Sequence, residues 1–220
     1  TYRLVGGADQ TAADPLATQW ASVAGSGNVE VAAGKLVRTG TGDIHVAAGG
    51  NIELRDDKAA IYTAGRLADP LSGFAMPTGP SGAVNFAQFS RDGGDVVLAA
   101  RGDISSASRS QQLYSNWLFR QGRLNDEGSA YSVQPAWWVR FDQFQQGVGA
   151  LGGGNVALLA GGKVENVSVS APTQARMASP TTDASALVKS GGGVVWVETL
   201  GAVLGGQYYA DNGELVIRAG

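Results

Sequence analysis

Cysteine is absent from all 220 residues, and histidine occurs once, at His45. The first absence excludes disulfide staples, thiolate metal sites and thiol nucleophiles, so stability has to come from burial and backbone pairing. The second leaves any Ser-His-Asp arrangement dependent on His45, and no Gly-x-Ser-x-Gly elbow accompanies it. A basic surplus is also missing. Sixteen Lys and Arg stand against nineteen Asp and Glu, for a net charge of -3 and a pI near 5.1. That balance gives nucleic acid or an anionic membrane surface no electrostatic footprint. No apolar run approaches the length that crosses a bilayer, so no membrane insertion is expected. The opening Thr1-Tyr2-Arg3-Leu4-Val5-Gly6-Gly7 lacks the charged-then-apolar order of a signal peptide, which predicts a cytosolic chain or a piece of a longer secreted one.

Glycine is plentiful, at 33 residues, roughly twice average usage. Much of it punctuates a repeated phrase: Gly, usually Asn or Asp, then apolar residues on alternate positions. The copies are Gly27-Asn28-Val29-Glu30-Val31, Gly42-Asp43-Ile44-His45-Val46, Gly94-Asp95-Val96-Val97-Leu98, Gly154-Asn155-Val156-Ala157-Leu158, Gly193-Val194-Val195-Trp196-Val197 and Gly213-Glu214-Leu215-Val216-Ile217. Strict alternation bounded by turn residues reads as short half-buried strands, and repetition reads as a stacked architecture. Several copies run on into a second apolar beat, as in Gly49-Gly50-Asn51-Ile52-Glu53-Leu54 and Gly102-Asp103-Ile104. Strand, glycine corner, strand outlines one coil, so the expected fold is all-β, a parallel β-helix (solenoid), with residues 1–220 as a single segment. Val, Ile and Leu should stack inward, while Glu30, His45, Glu53, Glu165, Glu198 and Arg218 point out.

Three stretches break the pattern. Residues 66–92, with Pro70, Pro77 and Pro80, and residues 171–190 read as loop excursions. Residues 106–149 form an aromatic-rich insertion holding Tyr114, Trp117, Phe119, Tyr131, Trp137, Trp138, Phe141 and Phe144. Within it, Leu113, Trp117, Leu118 and Phe119 have the spacing of one face of a short helix.

The remaining motifs read more simply as structure than as chemistry. Arg101-Gly102-Asp103 spells an integrin-binding tripeptide but fills a corner slot. Gly147-Val148-Gly149-Ala150-Leu151-Gly152 spells the dinucleotide fingerprint without a strand-to-helix context. Asp43, Asp95 and Asp103 share corner positions, and clustered carboxylates of this kind cleave polysaccharides in β-helix enzymes; turn chemistry explains them more simply. The spacing of glycine-rich calcium nonapeptides is absent. No catalytic residue, metal or cofactor is therefore assigned. The insertion is the segment that repetition leaves unexplained. It is a satellite core, a binding platform, or both at once with part of the cluster buried and part presented; as a platform, Trp117, Arg120, Tyr131, Trp137, Trp138 and Arg140 are the candidate ligand-contact residues, being of the types that dominate hot spots.

Three phrases in order along the chain resemble those of the filamentous haemagglutinin family of exoproteins. They are Tyr2-Arg3-Leu4-Val5-Gly6-Gly7-Ala8-Asp9; Val37-Arg38-Thr39-Gly40-Thr41-Gly42-Asp43-Ile44 leading to Ile61-Tyr62-Thr63-Ala64-Gly65-Arg66; and Trp137-Trp138-Val139-Arg140-Phe141 through Gln145-Gln146-Gly147-Val148-Gly149-Ala150-Leu151. The resemblance covers nearly the whole chain and is to an internal region of unassigned role. It implies a right-handed β-helix segment of a large Gram-negative repeat protein, secreted to the cell surface through an outer-membrane two-partner secretion transporter. The secretion motif that engages that transporter, and any toxin module, are not among these residues. The expected role is structural and adhesive, in adhesion or biofilm, with a host or bacterial surface glycan or protein as partner. The alternatives are a β-helix polysaccharide-degrading enzyme, or an inert stalk of a contact-dependent inhibition exoprotein.

Overall fold

The computed structural model describes residues 1–20, 26–67, 87–107, 116–145, 147–179 and 183–220. The protein is all-β, and most of its strands lie in three parallel sheets. The first has six strands: β1 (Tyr2–Gly6), β4 (Ile44–Ala48), β7 (Val96–Ala100), β12 (Val156–Ala160), β17 (Val195–Thr199) and β20 (Leu215–Ala219). The second has β2 (Val29–Val31), β5 (Ile52–Leu54), β8 (Ile104–Ser106), β13 (Val164–Glu165) and β18 (Val203–Leu204). The third has β3 (Leu36–Thr39), β6 (Ala60–Thr63), β11 (Gly147–Ala150), β14 (Ser168–Ala171) and β19 (Tyr208–Ala210). Along the chain the strands of these sheets recur in one order: first, second, third, then first again. Each return lands beside the previous strand of the same sheet.

Alternation decides which side chains meet inside. In the first sheet Ile44, Val96, Val156 and Val195 are register partners in succession, as are Val46, Leu98, Leu158 and Val197. Seven of these eight are fully buried and Val46 is 1% exposed. In the second sheet Ile52, Ile104 and Val164 form the matching column, and in the third Ile61, Val148 and Val169 do so. Each such side chain removed from water contributes roughly 1.5–3 kcal/mol. The columns belong to one continuous apolar core.

The phrase beginning at Gly27 does not belong with its five look-alikes. Val29 and Val31 pair with Ile52 and Leu54 in the second sheet. The first strand of the first sheet is instead Tyr2–Gly6, with Tyr2 opposite Ile44 and Leu4 opposite Val46. Both kinds of phrase carry Asx before alternating apolars, so the local pattern alone does not separate them. Leu215 and Ile217 occupy inward register but are each 43% exposed, because β20 is the edge strand of its sheet.

Asx side chains set the corners. Asn28, Asn51 and Asp103 each accept through Oδ1 from the backbone N–H just before the next strand of the second sheet, at Asn51 (2.8 Å), Asp103 (2.9 Å) and Lys163 (2.8 Å). A second ladder runs from Asp43 to Asp95 N–H (3.1 Å), Asp95 to Asn155 N–H (2.7 Å) and Asn155 to Val194 N–H (2.9 Å). The partners are distant in sequence, whereas ordinary turn chemistry joins an Asx side chain to backbone two residues away. Glycine precedes these corner amides for a steric reason. A Cβ at Gly102 would lie 2.1 Å from Asn51 Oδ1, and one at Gly162 would lie 2.0 Å from Asp103 Oδ1.

The interruptions fold into a fourth, antiparallel sheet. Its order is β16 (Leu187–Gly191), β15 (Thr173–Met177), β10 (Tyr131–Val139) and β9 (Leu118–Leu124). Leu118 and Phe119, expected on a short helix, are in strand β9, and Leu113 lies outside the described residues. Residues 171–190 are not a loop excursion but supply β15 and β16. The insertion closes earlier than expected, since Gly147–Ala150 is already strand β11 of the third sheet. The excursion at 66–92 is closed by an antiparallel bridge between Arg66 and Arg91, and residues 68–86 lie outside the described residues.

Candidate ligand-binding cleft

The flanking sheet exists because the third sheet has an apolar outer face. Ala60, Tyr62 and Ala64 on and beside β6, with Leu151, are buried under Trp117, Leu118, Val139 and Phe144 of the insertion. Phe144 sets edge-on against Trp117, with centroids 5.3 Å apart at 84°, and against Tyr62 at 5.5 Å and 75°. Edge-to-face contacts at these separations are the preferred aromatic geometry. The Gly-x-Gly of β11 makes room for this cover: a Cβ at Gly149 would lie 3.0 Å from Phe144 Cζ, and one at Gly147 3.3 Å. The glycines of the dinucleotide-like phrase thus serve close packing in a parallel strand. The opposite face of the hairpin carries Ala136 and Trp138, which pack with Ala87, Phe89 and Phe119.

Alternation along the hairpin therefore sorts the six candidate contact residues. Trp117 and Trp138 are 4% and 2% exposed and belong to the packing between layers. Trp137 is half-buried and donates from Nε1 to Thr173 Oγ1 at 3.1 Å. Tyr131 is half-buried opposite Leu124 at the far end of the hairpin, and Arg120 is exposed on β9. Arg140 stands apart. Half-buried at the end of β10, it forms a two-pronged pair with Asp142, at 3.0 Å from Nε and 2.9 Å from Nη2. That pairing holds the Asp142 carboxyl below and the Arg140 guanidinium above their ordinary pKa values. The structure does not bring the six together as one platform.

What it does form is a cleft of about 500 Å3 where the aromatic cover stops short of β3. Leu36, Arg38 and Lys58 line one side; Arg140, Phe141 and Asp142 line the other; Tyr62 and Phe144 lie between. Arg38 reaches it by alternation, as an outward residue of β3 in register with Tyr62. Its guanidinium carbon sits 5.8 Å from the Tyr62 ring centre and 5.7 Å from that of Phe141. Those two rings are nearly parallel, 6.2 Å apart at 14°. Burial pushes the Tyr62 phenol above its ordinary pKa, with the Arg38 charge pulling the other way. Among the described residues no carboxylate lies within ion-pair distance of Arg38 or Lys58. Gln88 and Gln145 add amide donors and acceptors to the lining. Residues 38 and 141 are far apart in sequence, and only the strand register of Arg38 beside Tyr62 hinted at the meeting.

The other candidate groups are committed elsewhere. Asp43, Asp95 and Asp103 cap backbone amides just before the next strand of the same sheet, and Asp103 stands on a different ladder from the other two. Arg101 donates to Thr18, from Nη2 to its carbonyl (2.6 Å) and from Nε to its hydroxyl (3.0 Å), and lies over the Trp20 ring. The Arg101-Gly102-Asp103 tripeptide is thus a pinned corner. His45 is half-buried and points outward in β4. Among the described residues no group of three or more His, Cys, Asp or Glu side chains comes together in a way that could hold a metal ion, and no helix is long and apolar enough to cross a membrane. No family model, curated protein or solved structure gives a significant match to the chain.

Proposed function

We propose that this chain is a right-handed parallel β-helix segment of a large secreted surface exoprotein of the filamentous haemagglutinin kind, with an adhesive and structural role. Cyclic order among three parallel sheets, in-register columns and Asx ladders at two corners support the β-helix description. Export through an outer-membrane two-partner transporter follows from the same resemblance. The observation that carries adhesion over mere spacing is the lateral cleft, with Arg38 and Lys58 on its wall and a ring-lined floor. The polysaccharide-degrading alternative needs paired carboxylates facing a groove, and Asp43, Asp95 and Asp103 are instead engaged with backbone amides.

A screen of the folded chain against immobilised glycans and whole cells tests the proposal. Retention without cleavage of the glycan supports it. Release of shortened products would favour the enzyme, and absence of retention on every surface would favour the stalk. Removing residues 110–146 is a poor variant for this purpose, because it strips the cover from Tyr62, Ala64 and Leu151.

A further inference from the structure

We infer that the cleft between Arg38 and Phe141 binds the carboxylate-bearing sugar unit of an acidic polysaccharide. The inference rests on the adhesive reading above and names the ligand class for it. Its first support is Arg38. A guanidinium over ring faces is attracted to them electrostatically while its N–H fork stays open to a planar acceptor. Tyr62 and Phe141 supply those faces at 5.8 and 5.7 Å. Among the described residues no acceptor takes the hydrogen bonds of the Arg38 side chain, so its planar fork remains available. Such a fork matches a planar carboxylate with two parallel hydrogen bonds.

Lys58 lines the same wall and adds a second positive charge; it interacts electrostatically with the neighbouring Asp56 carboxylate, though among the described residues no carboxylate lies within ion-pair distance of it. Across the cleft Arg140 is neutralised by Asp142 at 2.9 Å, so the local surplus comes from Arg38 and Lys58. This surplus sits on a chain whose net charge is -3, and it is therefore a feature of the cleft rather than of the surface at large.

The rest of the lining selects the scaffold that carries the acid. Asp142, Gln88 and Gln145 offer acceptors and donors that the hydroxyl groups of a sugar satisfy. Leu36, which is 53% exposed, and the edge of Phe141 offer apolar surface to the C–H face of a pyranose ring. The volume of about 500 Å3 falls within the range of small-molecule sites and suits one or two sugar units.

The test is titration calorimetry of the full chain with a glucuronic acid tetramer, its carboxyl-reduced neutral counterpart, a glutamate tetrapeptide and sodium acetate. Binding of the uronate tetramer alone is expected. Arg38→Ala should weaken it about tenfold or more, on the scale of one lost charge-assisted hydrogen-bond pair. Arg38→Lys, which keeps the charge but loses the fork, should fall between, and Lys58→Gln should weaken binding and reduce its salt dependence. Arg38 is exposed, and circular dichroism of each variant should match the parent. Equal binding of the neutral tetramer, preference for the peptide, acetate binding as tight as the tetramer's, or unchanged affinity in Arg38→Ala each overturns the inference. Attachment to cells without uronate binding overturns it while leaving adhesion standing. Arg38-dependent uronate binding without attachment supports the cleft and removes the adhesive reading.

Discussion

Gln174 donates from Nε2 to the hydroxyl of Ser90 at 2.9 Å, across 84 residues of chain, and no part of Gln174 reaches solvent. The same amide nitrogen reaches the carbonyl of Leu151 at 3.1 Å, and Oε1 accepts from Val139 N–H at 3.2 Å. One side chain thus joins the segment after the first excursion, the end of β11 and the end of the β10 strand. It links the flanking sheet to the stacked core.

Gln174→Leu should therefore leave buried partners at Ser90, Leu151 and Val139 unsatisfied. The expected loss is about 1–3 kcal/mol in urea unfolding, the usual cost of orphaning buried polar groups. A change within a few tenths of a kcal/mol would mean that water replaces the amide and that the link is not structural.

Position in the stack should grade the cost of truncating column residues. Leu158 is fully buried between Leu98 and Val197, so Leu158→Ala should cost about 2–5 kcal/mol. Leu215→Ala should cost clearly less, since the outer strand leaves Leu215 43% exposed. His45→Ala, on the outward side of the first sheet, should be close to neutral within about 0.5 kcal/mol. Equal losses at Leu158 and His45 would contradict the inward assignment.

The Asx ladder makes a prediction about chemical equivalence. Asp95 Oδ1 takes the Asn155 backbone N–H at 2.7 Å and also its side-chain amide at 3.1 Å. Asp95→Asn keeps an acceptor in the same place, whereas Asp95→Ala leaves a corner N–H without one. Thermal unfolding should show a loss of about 1 kcal/mol for the alanine variant and a smaller one for asparagine. The reverse order would mean that charge, not acceptance, is what the corner needs.

Acid should loosen one corner in particular. Asp56 Oδ1 accepts from the backbone of Gly34 (3.0 Å), Lys58 (3.0 Å) and Ala59 (2.8 Å), and those bonds, the Gly34 bond foremost, lower its pKa. A carboxyl whose folded pKa is depressed stabilises the fold above its unfolded pKa, and that contribution disappears as pH falls through the folded value. Melting temperature should therefore drop on acidification below the ordinary aspartate range, and Asp56→Asn should flatten that part of the profile. An unchanged profile in the variant would place the acid sensitivity elsewhere. Because Lys58 sits on the same corner, loosening there should also weaken the cleft.

Parts of this architecture were legible in the residues themselves. The inward columns follow from period-two alternation, which is a local property: Ile44, Val96, Val156 and Val195 announce themselves one strand at a time. Many of the corners were legible too, since Asn or Asp follows Gly27, Gly42, Gly50, Gly94, Gly102 and Gly154, although the ladder's reach from strand to strand was not. Misplacing Val29 and Val31 had a definite cause, because first-sheet and second-sheet phrases bury the same kind of column and so look alike. The fate of the aromatics was hidden for another reason. Composition says that Trp117, Trp137 and Trp138 need company, but strand register decides which of them faces the third sheet, which faces Phe89 and which keeps an edge free.

Sequence by itself determined the repeating strand pattern, the all-β character and the lack of thiol chemistry, because each depends on residue type and near neighbours. Only the tertiary structure decided what the interruptions do and where a ligand fits. Trp138 meets Phe89, Gln174 meets Ser90 and Arg38 meets Phe141 through contacts that span tens of residues. Such meetings depend on how the parallel strands register and how the flanking sheet lies against them, and no local periodicity encodes that.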